Sequence, residues 1–238
     1  MVEALTDRVV LVVGRPGGIA HAVALAARDA GARVVAAGRS TDALAAAYRD
    51  EVGISTEFVD LTDEASIEAL GMRLGAVDHI VSTASARVRG KLADLDRDAI
   101  RTALDVKVIG PLLLAKHLAP RVRPGGSIVL FSGVAAFKIA VGTLAVALTN
   151  GAVDTLTRSL ALELAPIRVN AISPGVIDTG AWDGLGDGKV DYFADISARN
   201  PARRIGTTAD IADAVLFALT NGFLTGVTLH VDGGEALT

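Results

Sequence analysis

Short runs of β-branched and other apolar residues alternate with longer Ala/Leu-rich stretches along the whole chain. The runs at 9–13, 33–37, 56–59, 79–81, 127–131, 168–172 and 228–231 are near-continuously apolar, which predicts strands covered on both faces rather than half-exposed ones. Between them, helical periodicity predicts helices over 19–30, 41–50, 64–74, 97–118, 143–164 and 208–219. Alternation of this kind predicts an α/β fold, a doubly wound parallel sheet of Rossmann type with about seven strands and helices on both faces. No linker or internal repeat divides residues 1–238, so a single domain is expected. The one loop-rich stretch, 175–201, follows a strand on the ligand side of such a sheet and reads as a substrate lid.

Composition narrows the function classes. Aromatic residues are scarce at 4 % and the formal charge is -4, so neither base-stacking platforms nor a basic nucleic-acid face is expected. With no cysteine, disulfides, thiol nucleophiles and thiolate metal sites are excluded, and a cytoplasmic location is compatible. No apolar run reaches the ~18 residues of a membrane span, and the segment MVEALTDRVVLVVG lacks the basic and small-residue marks of a secretory signal. No His/Asp/Glu cluster has ligand spacing, so no metal is expected. His79 and His117 fall in strand and helix patterns as packing residues, and His21 opens the first helix as a surface residue.

The first apolar run leads into Gly14-Arg15-Pro16-Gly17-Gly18-Ile19-Ala20 and then a helix. Glycines there let the chain turn tightly and bring backbone N–H groups and the positive helix end close to phosphate oxygens. This turn resembles the TGxxxGxG turn of the short-chain dehydrogenase/reductase family, with Val13 for Thr and Ala20 for the last Gly. Further resemblances follow in order: Asp60-Leu61 after the third strand, Ser82-Thr83-Ala84-Ser85 at the NNAG place, and Arg168-Val-Asn-Ala-Ile-Ser-Pro174-Gly175 against RVNxxxPG. Asp178-Thr179 and the ending Leu224-Thr-Gly-Val-Thr-Leu-His-Val-Asp-Gly-Gly234 complete the match. The resemblance implies that Gly14, Gly18 and Ile19 cradle a pyrophosphate, with Gly17 in the same cofactor-binding turn, that Asp60 and Leu61 meet adenine, and Ala84 the ribose. Within the strand end at Pro174 and Gly175, it implies that the Ile177 backbone and the Thr179 hydroxyl hold the nicotinamide carboxamide. It also implies a homo-oligomer, a dimer or tetramer. The small residues of the 143–164 helix, Ala145, Ala147, Gly151 and Ala152, are suited to close packing between or within subunits.

The cofactor expected is NADP(H) rather than NAD(H). Where NAD-preferring relatives carry an acid, this chain has Gly38, followed by Arg39 and Ser40, and Arg15 sits in the glycine turn. A guanidinium is shaped to grip a 2′-phosphate, and no carboxylate repels one.

The family's active-site frame is similar to residues 131–164, where it carries a serine, a tyrosine thirteen positions on and a lysine four further. Those places hold Gly133, Val146 and Asn150, and no tyrosine lies between Tyr48 and Tyr192 to replace the missing one. The family's helix asparagine is Lys107 here. Two readings stay open: drift after loss of the tyrosine, or an exchange in which Lys107 and Asn150 keep one ammonium and one amide in the same pocket, Lys107 serving as the acid. Ser132, next to the vacated serine place, and Thr143 and Thr149 are the other hydroxyls at hand. The expectation is therefore a cofactor-binding family member unsuited to ordinary ketone reduction. The alternative is an atypical NADPH-dependent oxidoreductase acting on a small apolar carbonyl, imine or enone with Lys107 or water as proton donor. The lid residues Trp182, Leu185, Tyr192 and Phe193 add an apolar lining.

Overall fold

A computed structural model describes residues 4–85 and 88–238. Seven parallel strands form one sheet in the order β3-β2-β1-β4-β5-β6-β7. They are β1 (Val9–Val13), β2 (Arg33–Gly38), β3 (Ile54–Phe58), β4 (Val77–Ser82), β5 (Val122–Phe131), β6 (Arg168–Pro174) and β7 (Thr228–Val231). The order reverses between β1 and β4, which opens a crevice at the carboxyl ends of those strands.

Alternate residues of each central strand feed opposite apolar layers. Val10, Val12, Val34, Ala36, Val81, Val129 and Ile172 pack under α1 (Gly18–Asp29) and α8 (Thr208–Thr220). Leu11, Val35, Ile80, Ile128, Leu130 and Val169 pack on the other face against α5 (Gly110–Leu118) and α6 (Leu144–Glu163). Every residue of β1 is buried, each contributing roughly 1.5–3 kcal/mol of burial where the side chain is as large as Val or Leu. Strand β3 departs from the expectation of full coverage: it is half-exposed along its length because it forms an edge with one neighbour only.

The remaining helices are α2 (Thr41–Ala47), α3 (Glu64–Leu74), α4 (Arg97–Leu104) and α7 (Gly188–Arg199). The starts of α3, α4 and α8 are written in the sequence. Asp63 accepts from Ala65 N–H, Asp96 from Ala99 N–H, and Thr207 and Asp210 form a reciprocal box at the start of α8. Arg204 beside Asp210, with the Thr207 N–H and hydroxyl, holds that carboxyl below the usual range.

Two segments differ from the pattern read in the sequence. The single helix expected over 97–118 is interrupted by one π-helical turn, Asp105–Ile109, before α5 begins at Gly110 with Pro111 in its first turn. The 175–201 stretch is not a bare loop: it holds a 3-10 turn at Gly180–Leu185 and all of α7. Its glycines at 180, 184, 186 and 188 hide that helix from periodicity.

Arg168 and Asn170 explain the RVN triplet physically. The buried Arg168 guanidinium donates to the carbonyls of Ala218 (2.8 Å) and Leu219 (2.7 Å), closing the end of α8 onto the sheet. Asn170 donates to Leu224 O at 2.9 Å and accepts from Val227 N–H at 3.3 Å, tying the approach to β7.

Candidate active-site cleft

Strand β1 ends in a turn whose tightness is set by contact rather than by propensity. A Cβ on Gly14 would lie 2.2 Å from Thr83 Oγ1 and 2.7 Å from Ala20 Cβ, so only glycine fits between β4's end and α1. Thr83 Oγ1 donates to Val13 O at 3.2 Å, bracing the two strands where the family has an asparagine. Gly18 adopts a left-handed φ of 56°, and Gly17 faces open space. No side chain caps α1, so its first-turn N–H groups are left for another acceptor.

This turn floors a cleft of about 590 Å³. Gly14, Arg15, Gly17, Gly18 and Ile19 form one wall. Arg39 and Ser40 stand at the end of β2, Asp60 and Leu61 after β3, and Ala84 after β4. Thr179 closes the far end, its side chain 3.5 Å from where a Gly18 Cβ would be. Asp60 Oδ1 is engaged by the Thr62 N–H and hydroxyl at 2.9 and 2.8 Å, which orients the carboxylate. Among the described residues, Asp60 is the one acid in the cleft wall.

Three of the residues expected at the cofactor stand behind this wall. Pro174 ends β6, and Gly175 lets the backbone pass Asp232, whose Cα would be 2.8 Å from a Cβ there. Ile177 is buried, and its carbonyl accepts from Trp182 Nε1 at 2.9 Å. Nothing in the pattern of residues 175–201 announces that Trp182 contact.

The residues of the catalytic frame converge beside the cleft. Lys107, on the π turn, is 5 % exposed and its Nζ donates to Ser132 O at 3.0 Å. The Ser132 hydroxyl donates to Asn150 O at 3.1 Å, and Asn150 Nδ2 donates to Gly133 O at 3.3 Å. Lys107 and Asn150 thus meet the chain on consecutive carbonyls, those of residues 132 and 133. Val146 lies half-buried on α6, and its carbonyl is taken by Thr149 Oγ1 at 3.1 Å. Thr143 precedes α6 and bonds Ala140.

The histidines lie apart from this cluster. His79 is buried on β4 with Ser127 Oγ at 2.9 Å, and burial, aided by the Arg168 charge, pushes its pKa down to about 4. His117 pairs with Glu64 at 2.8 Å, and His21 stacks on Tyr48 with ring centres 5.1 Å apart. Among the described residues, no group of three or more His, Asp or Glu is placed to hold a metal ion, and no helix is long and apolar enough to cross a membrane.

A parallel sheet with its switch point at β1/β4, a glycine turn opening onto an uncapped helix and a cleft across both define a dinucleotide-binding α/β protein. Comparison with known proteins agrees. The enoyl-(acyl carrier protein) reductase family model matches residues 13–235. The L-xylulose reductase of Mus musculus is 33 % identical over 244 residues, covering 98 % of this chain and 98 % of its own. A crystal structure of a small-chain dehydrogenase in complex with NADPH shares 33 % identity with a TM-score of 0.85, over 98 % of this chain and all of the other. MalC reductase/Diels-Alderase from Malbranchea aurantiaca superposes with a TM-score of 0.92 at 27 % identity over 99 % of each chain. The chain belongs to the short-chain dehydrogenase/reductase family, a family of oxidoreductases.

Proposed function

We propose that this chain binds NADP(H) in the cleft and does so without the tyrosine-dependent chemistry of ordinary ketone reduction. The observation that carries the reading is Val146, an aliphatic side chain where the frame calls for a proton donor. Around it, Gly133 has no hydroxyl and the Ser132 hydroxyl is spent on Asn150 O. Proton transfer to a substrate oxygen needs a donor within ~3 Å and with a pKa near the working pH, which valine cannot supply.

The cleft fits a dinucleotide on its own terms. Gly14 and Gly17 permit the close approach of a pyrophosphate, and the free N–H groups of α1 are there to meet it. Gly18 and Ile19 would complete that cradle. Arg15, Arg39 and Ser40 would take the 2′-phosphate, with Asp60 and Leu61 at adenine, Ala84 at ribose, and Thr179 with the Ile177 backbone at the carboxamide beyond Pro174 and Gly175. When bound, the cofactor supplies or accepts a hydride. A solved relative described as an NADPH complex supports the choice of dinucleotide.

A second reading rests on the Lys107–Asn150 convergence. Lys107 is held by Ser132 O and Asn150 by Gly133 O, so an ammonium and an amide are both fixed beside the cleft. In this reading Lys107, or water it orients, donates the proton to a small apolar carbonyl, imine or enone. A neighbour described as both a reductase and a Diels-Alderase supports a frame open to more than one chemistry.

Residues 1–238 are taken as one domain, with 175–201 as its lid, and as a cytoplasmic homo-oligomer. The exposed Leu144 and Leu148 on α6 favour self-association through that helix.

NADPH fluorescence titration tests the common ground: absence of binding at millimolar cofactor defeats both readings. If NADPH binds and a panel of ketones, imines and enones is left unreduced, the first reading stands. If a substrate turns over, Lys107→Ala decides whether the second does, since unchanged turnover removes Lys107 from the mechanism.

A further inference from the structure

We infer that Arg89 is a specificity residue that selects substrates carrying a carboxylate on an apolar body. Its guanidinium carbon lies 6.0 Å from the centre of the Trp182 ring, at the outer reach of a cation–π contact. That ring is itself fixed. Its Nε1 donates to Ile177 O at 2.9 Å, and it packs on Tyr192 with centres 5.0 Å apart and on Phe193 at 6.5 Å. Thr179 and Ala181, just before Trp182, line the cleft, so the indole stands at the cleft's mouth.

The segment bearing Arg89 is pinned from the other side. Gly90 N–H donates to Gly142 O at 3.1 Å, immediately ahead of the helix that carries Val146. Arg89 therefore lies between the approach to α6 and the Trp182 ring at the cleft's mouth.

Its lack of a partner distinguishes it. Every cation of residues 180–204 is satisfied within the protein. Lys189 bridges Asp178 (3.2 Å) and Asp183 (2.9 Å), Arg199 pairs with Asp195, Arg204 with Asp210, and Arg203 donates to Ala198 O. Arg89 has no carboxylate or carbonyl partner among the described residues; its contact is the indole. A guanidinium held over an aromatic face keeps edge N–H groups for a planar carboxylate, which it can bind through two parallel hydrogen bonds. Leu92 and Val141, which flank the Gly90–Gly142 contact in sequence, are exposed apolar side chains, suited to the body of such a molecule and not to its charge.

The inference rests on the proposed cofactor reading only in placing the reacting atoms near Thr179; carboxylate recognition itself does not require the dinucleotide. Trp182 is the chain's only tryptophan, so its emission reports on Arg89's site directly. The test titrates the protein, with and without NADP⁺, with cyclohexanecarboxylate and with its neutral amide. The carboxylate is expected to bind about tenfold tighter than the amide. Arg89→Gln should abolish that preference and Arg89→Lys restore part of it, while Lys91→Gln, a neighbouring charge loss, leaves it intact. Equal binding of acid and amide, no binding of either at millimolar concentration, or a preference that survives Arg89→Gln overturns the proposal. Calorimetry with NADP⁺ on the same proteins separates the two readings. Unchanged NADP⁺ affinity in Arg89→Gln is expected, and failure of NADP⁺ to bind the unaltered protein defeats the cofactor reading alone.

Discussion

Asn150 and Gly133 are fitted to each other: the amide donates to the Gly133 carbonyl at 3.3 Å, and a Cβ at residue 133 would lie 2.8 Å from the same nitrogen. Putting back the family's serine alone forces the buried amide aside. Gly133→Ser is expected to lower stability by about 1–2 kcal/mol, and the loss should largely vanish in an Asn150→Ala background. Urea unfolding of the two single variants and the double checks this; additive losses would sink it.

The cofactor preference should resist the usual reversal. A Cβ at Gly38 would sit 2.6 Å from Gly14 O, so an acid placed there deforms the glycine turn before it can reach a ribose. Gly38→Asp is expected to weaken NADP⁺ and NAD⁺ alike. Arg39→Ala should instead weaken NADP⁺ by about tenfold or more and leave NAD⁺ nearly unchanged, since one charge-assisted contact is lost without strain. Calorimetric titration of both cofactors against both variants distinguishes these outcomes.

Acid should destabilise the fold through His79. Its pKa falls to about 4 on folding from an ordinary 6.5, so between those values the unfolded chain binds a proton that the buried ring refuses. Stability is therefore lost as pH drops from about 6.5 toward 4, by about 3 kcal/mol in total for this one group. His79→Gln, which can still reach Ser127, should flatten that part of the pH–stability curve. An unchanged slope in the variant would remove His79 as its source.

Arg168→Lys should not behave as a conservative change. The guanidinium reaches Ala218 O and Leu219 O at once, and an ammonium cannot reproduce that fork. A loss of about 2–3 kcal/mol is expected, because buried carbonyls lose their donors. Thermal unfolding should show it, and hydrogen exchange should rise first at the end of α8.

The sheet and the glycine turn were legible in the sequence because both follow from short-range rules. A parallel strand buried on both faces such as β1 favours a continuous apolar run, and a turn squeezed between Thr83 and Ala20 tolerates only glycine at position 14. The neighbourhood of Lys107, Ser132 and Asn150 was also foreseeable, since each sits at a fixed place on an element of the frame. What stayed hidden depends on tertiary contact. The π turn at Asp105–Ile109 leaves no mark on apolar periodicity, and α7 begins among glycines that ordinarily end helices. The exposure of β3 comes from its place at the sheet edge, which its own residues do not declare. The Trp182 tether joins a side chain to a carbonyl across a turn, and Arg89 finds its indole only once the Gly180–Leu185 turn is folded.

The switch point between β1 and β4 also orders events in time. During synthesis β1, β2 and β3 can pair as soon as residues 9–58 have left the ribosome, but the other edge of β1 waits for residues 77–82. Until then Val9–Val13, the most thoroughly apolar strand of the sheet, presents an open row of backbone donors and acceptors. The crevice that later receives a ligand is, in the nascent chain, the seam most exposed to a wrong partner.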